Sequence, residues 1–355
     1  MRKAITLTVL LLSASMLFAS FSFSFGPEQT FFSQFSSDTL SPKLRLGAFY
    51  QTSTSRAENA IMFNTLDAEG KPTEVYYAFT GGEGFRNNSF IHLQAGGGVS
   101  ALRMGWKGAF EASLSIEARI STVFFLTGGT DMLGVDGSYF VGAEASILDR
   151  IRLRGGIRHY SGHIGDEVLK DVLDSHRSEN LSISEYVLDA YEASIGYSDD
   201  AFPYIRAALG ITVPQKKSYM VPVSHRPDWI ISGSQTTAER YPAEYAVRGD
   251  YGPGYNALIV FGEAALSYPF FRNSIDLVYD FAVHQDGMTN HTLTPDDDTD
   301  KWEWEHRISL VLKRVSDSGH GISVELFYHM GRFPLLNYYW KRSDYGGLCI
   351  SVFSE

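Results

Sequence analysis

Between Arg158 and Glu167 the chain reads RHYSGHIGDE, bringing two imidazoles, one hydroxyl and two carboxylates into one short segment. His159 and Ser161 are two positions apart, so on an extended strand they share a face. A serine hydroxyl becomes a nucleophile when a base stands within hydrogen-bond reach, and a third group must orient that base. Asn180 is the only asparagine nearby, and His163, Asp166 and Glu167 complete the set of candidate catalytic groups. A shared metal ion is not expected. His159 and His163 lie roughly 13 Å apart along a strand, and there is no His-Glu-x-x-His motif or cysteine cluster to supply ligands. No cofactor is expected either. The competing reading is a polar strand end that feeds a loop, with Asp166 and Glu167 capping a short helix over 167–174. On the residues alone the balance leans toward that structural, non-enzymatic reading.

Whatever the motif does, a strand must carry it. From Phe110 to Ile120 the chain reads FEASLSIEARI. Phe110, Ala112, Leu114, Ile116, Ala118 and Ile120 fall on one parity, and Glu111, Ser113, Ser115, Glu117 and Arg119 on the other. Successive side chains of a strand point to opposite faces, so this segment has one apolar and one charged face. The rhythm recurs over 151–161, 204–213, 274–283, 303–313 and 322–329. Its runs reach the roughly 9–11 residues that a membrane-crossing strand needs. The charged parity supplies Arg152, Arg154, Arg158, Arg206, Asp276, Asp280, Glu303, Glu305 and Arg307. Such groups suit a watery lumen and would be costly between two packed sheets. The expectation is an all-β chain: a single antiparallel transmembrane β-barrel of about twelve strands, with ten to fourteen allowed. Glu111, Glu117, Arg119 and the residues just named would line its lumen.

One residue breaks the rule. In VLDAYEASIGY, from Val187 to Tyr197, Asp189 shares the parity of Tyr191, Ala193 and Ile195. A lipid-facing carboxylate at mid-depth is penalised, so Asp189 is expected near a strand end or beside a bulge.

The remaining features fit an envelope protein. Met1-Arg2-Lys3, an apolar run and then small residues have the layout of a secretory signal peptide over residues 1–24, leaving 25–355 as one barrel domain. Removing that leader takes the net charge from −11 to −13, because it holds Arg2 and Lys3 and no acid. An acidic surface excludes nucleic acid as a partner. Cys349 is the only cysteine, so no internal disulfide can form. Short connections at 149–150, 268–273 and 316–320 alternate with long ones at 165–182, 214–255 and 286–301, as expected when the two barrel ends face different compartments. The run Leu348–Glu355 resembles the terminal strand recognised by the barrel-assembly machinery, although Ser354 and Glu355 follow Phe353. Gly81–Gly84 and Gly96–Gly98 are read as turns or kinks, since no βαβ unit surrounds them. Asp296–Asp300 is read as a solvated loop, since it lacks the pattern of a calcium-binding hand.

Two resemblances follow from these residues. His159-Tyr160-Ser161 on an outward strand face is similar to the His-x-Ser motif of outer-membrane phospholipase A. That family continues Ser-Asn-Gly and orients its histidine with a later asparagine, whereas Gly162-His163 follows here. The run His159–Glu167 resembles the His-x-Ser-Ser-His-Leu-Gly-Asp-Glu signature of domain-of-unknown-function family 1207. Arg152 and Arg154 stand ahead of it, and Arg177, Asn180, Leu181, Ser182 and Glu185 stand after it. The second resemblance implies an outer-membrane-type barrel and names no activity.

Three functions are therefore open from sequence. The first is a channel-like or structural envelope protein in the outer membrane, with membrane lipid and the assembly machinery as partners and the oligomeric state undetermined. The second is a lipid hydrolase acting through Ser161 and His159. The third is a surface-binding protein acting through its long loops.

Overall fold

A computed structural model describes residues 21–28, 30–32, 44–54, 60–66, 72–78, 88–126, 132–165, 182–183, 186–199, 202–215, 258–271, 275–285, 302–316, 320–335 and 342–354. They form β1 (Phe21–Glu28), β2 (Leu44–Thr54), β3 (Ala60–Leu66), β4 (Pro72–Ala78), β5 (Ser89–Trp106), β6 (Phe110–Phe125), β7 (Met132–Ile147) and β8 (Ile151–Ile164). Then follow β9 (Ser182–Ile183), β10 (Tyr186–Ser198), β11 (Ile205–Pro214), β12 (Ile259–Phe271), β13 (Ile275–Gln285), β14 (Trp302–Val315), β15 (His320–Arg332) and β16 (Arg342–Ser354).

Twelve strands make one closed ring. Its order is β5-β2-β16-β15-β14-β13-β12-β11-β10-β8-β7-β6, and β6 pairs back onto β5 along its length. Every pairing is antiparallel. Closure satisfies the backbone groups that an open edge would expose to lipid. β1 joins the same edge of β5 that β2 uses. β2 takes Ser89 to Gln94, and β1 takes Ser100 to Trp106. Residues 1–20 of the expected leader lie outside the described residues, and its last four belong to β1. Strands β4, β3 and β9 form a separate three-stranded sheet in that order.

The connections alternate as expected. Three to six residues separate β5 from β6, β7 from β8, β10 from β11, β12 from β13 and β14 from β15, and six or more separate the other consecutive strands of the ring. One expected boundary moves: β12 runs through Phe271, so the strand itself covers most of 268–273. The β7–β8 turn places Leu148 and Asp149 at φ of 54° and 55°, with Arg150 N–H donating to the Ile147 carbonyl at 3.1 Å. Two consecutive positive φ values are those of a tight hairpin turn, whose twist matches the flanking strands.

Burial runs opposite to that of a soluble sheet. On β6, Leu114, Ile116 and Ile120 are exposed, while Glu111, Ser113, Ser115, Glu117, Arg119 and Ser121 are buried. Only a lipid surround makes that arrangement favourable. The interior also needs room for one large ring. Gly142 of β7 faces Gly156 of β8, and the Phe140 ring lies over both. A Cβ on Gly142 would fall 2.4 Å from the Gly155 carbonyl oxygen and 2.5 Å from Phe140, and one on Gly156 would fall 2.4 Å from the Val141 carbonyl oxygen. Gly142→Ala or Gly156→Ala is therefore expected to destabilise the barrel by about 1–3 kcal/mol, the usual penalty of overpacking. Gly155→Ala, which meets only the Glu192 carbonyl oxygen at 3.8 Å, should be tolerated. Urea unfolding in lipid bilayers measures the difference.

Candidate functional site

The outward face of β7, β8 and β10 carries the residues that the motif brought to attention. Register places Tyr139, His159 and Asp189 in one row, and Gly137, Ser161 and Val187 in the next. His159 Nδ1 lies 2.9 Å from Asp189 Oδ1. The Tyr139 ring stacks on the imidazole, with centroids 4.9 Å apart and planes 18° apart. His159 is therefore held from both sides, by a carboxylate on β10 and an aromatic face on β7. Its apolar strand neighbours Leu153 and Ile157 are exposed, and so are Val141 and Tyr191 in the row beside Ile157. Counting from Ile151, His159 stands about 20 Å up a tilted strand, close to the edge of a hydrocarbon band about 25 Å tall. Asp189 is the fourth residue of β10, near the long-loop end. Its position there meets the expectation, and His159 is the reason a carboxylate is tolerated on that parity.

Ser161 follows on the same parity, with its hydroxyl turned toward Gly137. His163 is exposed one further step along. Asp166, Glu167 and Asn180, the other candidates, lie outside the described residues, as does the 214–255 loop beyond Gln215. The side chain that meets His159 Nδ1 is the Asp189 carboxylate, not an asparagine.

The expected lumen-lining residues form a second system, on the buried parity. Arg158 donates from Nε and Nη2 to the two oxygens of Glu192 at 2.9 and 3.0 Å. Its Nη1 lies 3.3 Å from Glu117 Oε2, and Arg154 Nη2 lies 2.5 Å from that same oxygen. Both guanidiniums cover the Phe140 ring, 3.7 and 4.8 Å from its centroid. Across the barrel, Glu325 accepts from Arg307 Nε at 2.7 Å, Arg45 Nη2 at 2.8 Å, Ser309 Oγ at 2.6 Å and Cys349 Sγ at 3.2 Å. Glu305 sits 3.5 Å from His284 Nδ1 and 3.4 Å from His329 Nε2. Arg119 faces Asp136 at 3.9 Å, and Asp276 pairs with Lys313 at 2.9 Å. Arg152 donates to Ser198 Oγ and the Asp149 carbonyl. Glu111 and Asp280 are buried and Arg206 is half-buried. Glu303 pairs through its backbone with His284, and its side chain lies outside the described residues.

Sequence reading missed two apolar fillings of this interior. Toward the long-loop end the buried parity turns aromatic, with Phe49, Phe90 and Phe125. Phe333, just past β15, meets Phe49 and Phe90 edge-on at 5.9 and 5.4 Å. Leu335 reaches across to Gly134 of β7. Behind β1, the Phe31 N–H donates to Glu144 Oε2 at 2.9 Å, and Arg103 covers the Phe31 ring at 4.3 Å. The available signal was the change from polar to apolar on one unbroken parity, as from Arg119 and Ser121 to Val123 and Phe125.

A closed antiparallel ring with an apolar outer face and a charged inner one is an outer-membrane-type β-barrel. No family model and no curated protein matches the chain, so the resemblance to family 1207 rests on its motif alone. Among solved structures the chain is similar to outer membrane phospholipase A from Escherichia coli, at 8% identity over 88% of this chain and 93% of that one, with a TM-score of 0.43. It is similar to the calcium-bound Salmonella typhi outer membrane phospholipase dimer at 8% identity, covering 91% and 95% of the two chains, TM-score 0.44. It is also similar to the transport unit of the autotransporter AIDA-I from Escherichia coli at 9% identity, covering 90% and 92%, TM-score 0.38.

The interior pairs make one measurable demand. Glu192→Ala leaves the Arg158 guanidinium buried without its two-pronged partner, which is expected to cost about 3–5 kcal/mol. Replacing both members, as in Glu192→Leu with Arg158→Met, should restore much of that loss. Urea unfolding of the reconstituted single and double variants tests the pairing.

Proposed function

We propose that the protein is an outer-membrane barrel that hydrolyses ester-linked lipid at the long-loop boundary of the bilayer. Ser161 is the nucleophile, His159 the base and Asp189 the group that orients it. The observation that carries this reading is the 2.9 Å contact between His159 Nδ1 and Asp189 Oδ1 on the apolar-facing parity. An ionisable residue on that surface is expensive and points to a functional role. Here it fixes an imidazole two residues from a serine.

The chemistry uses these side chains alone. Ser161 Oγ bonds to the acyl carbonyl carbon as its proton passes to His159 Nε2. The proton then goes to the leaving alcohol oxygen as the C–O bond breaks, leaving the acyl group on Ser161. Water, deprotonated by the same nitrogen, attacks that ester and releases a carboxylic acid, restoring the hydroxyl. Asp189 holds the Nδ1–H tautomer and stabilises the imidazolium while it exists.

The filled interior supports a wall rather than an open conduit. The arginine–glutamate knots and the aromatic groups at Phe31 and Phe333 pair with one another inside the ring, where a channel would need its lining free. The leader over residues 1–24, the 25–355 domain and recognition of β16 by the assembly machinery belong to the same reading.

Purified protein in vesicles of mixed ester lipids, with and without calcium, should release free carboxylic acid. Ser161→Ala should abolish release, and Asp189→Ala should lower kcat by about 10²-fold or more, the scale of a positioned general base. Absence of turnover by the wild-type protein across glycerolipids and other acyl esters would discard the enzyme and leave a structural barrel. Planar bilayers should show no steady conductance.

A further inference from the structure

We infer that Gly137 is a specificity-determining position, and that its side-chain-free backbone beside Ser161 admits the acyl arm of an unbranched long-chain ester. This rests on the hydrolase reading just given and adds which part of the substrate goes where.

Most interior glycines of the barrel explain themselves by crowding. A Cβ on Gly47, Gly96, Gly142, Gly156 or Gly347 would meet a neighbouring atom within 3.0 Å. Gly137 is different. Among the described residues, the one heavy atom within 4 Å of its would-be Cβ, chain neighbours aside, is Ser161 Oγ at 3.2 Å. Its φ is not positive. Backbone conformation does not demand a glycine there, and the crowding that a Cβ would bring falls on the Ser161 hydroxyl rather than on backbone; glycine weakens a strand interior and often marks a close approach by another group.

The place matters because of its neighbours. Gly97 and Gly155 also open outward, but no serine hydroxyl stands over them. Gly137 shares its row with Ser161, while Tyr139 and Val135 flank it along β7. The leaving oxygen must take its proton from His159, so the alcohol part of the ester lies over the Tyr139–His159 row. The acyl arm then needs another side of Ser161, and the side-chain-free side is that of Gly137. A linear chain fits beside a bare backbone, and added methyl groups on residue 137 would stand in its path.

The test compares kcat/KM for p-nitrophenyl palmitate and p-nitrophenyl acetate in Gly137→Ala, Gly137→Val and the control Gly155→Val. Folding of each is verified by its heat-dependent gel mobility. The palmitate-to-acetate ratio should fall about ten-fold or more in Gly137→Val, the scale on which a few methyl groups discriminate in an apolar pocket. Gly137→Ala should fall between it and the wild type, and Gly155→Val should keep the wild-type ratio. An unchanged ratio in folded Gly137→Val, or an equal fall in Gly155→Val, overturns the assignment while leaving Ser161 chemistry standing. No turnover of either ester by the wild type removes the hydrolase and this assignment together.

Discussion

Inside a bilayer no water is available to satisfy a backbone N–H or carbonyl, so the ladder must have no lipid-exposed edge. The pairing of β6 with β5 that closes the ring is therefore the interaction on which the rest depends. Once the ring is closed, each strand has one face toward lipid and one toward the interior, and the two faces are under opposite rules. Leu114 and Ile116 are exposed on one, and Glu117 and Arg119 are buried on the other. A residue that violates its face must be stabilised by a specific partner, which is what makes Asp189 informative.

The interior follows from the same closure. Charges from neighbouring strands are brought within reach of each other, and planar guanidiniums answer carboxylates in pairs while lying on Phe140 and Phe327. Buried ion pairs of this kind contribute little net stability over apolar packing, because desolvation offsets their attraction. Each does oppose a slip of register, since a one-residue shift would send every charge to the lipid side. The aromatic groups toward the long-loop end add apolar packing where the ion pairs stop. The result is a wall stiff enough to hold the groups to which the proposed chemistry is assigned on its outer surface.

That outer surface divides the labour between three strands. β8 supplies His159 and Ser161, β10 supplies the carboxylate, and β7 supplies an aromatic face at Tyr139 and a bare backbone at Gly137. Tyr139 and Asp189 act on opposite flanks of one imidazole, so neither strand alone would hold it. Rigid strands position such groups more firmly than loops would. At the upper edge of the apolar band they would stand where the ester groups of lipids meet water, as the hydrolase reading requires.

Alternation is local, so the sequence alone determined the barrel class, the strand faces, the approximate strand number and the charged interior. The same period-two logic placed His159 and Ser161 on one outward face and marked Asp189 as out of place. It did not join them. His159 and Asp189 are separated by 30 positions, and whether they meet depends on how β8 and β10 slide past each other. Asn180 drew attention because it is close in sequence, whereas Asp189 is close in space. Phe333 and Leu335 lie beyond the alternating run 322–329, and only the ring brings β2, β5 and β7 within their reach. Register and closure are properties of many strands at once, set by the summed preferences of both faces, and only the tertiary structure decides them.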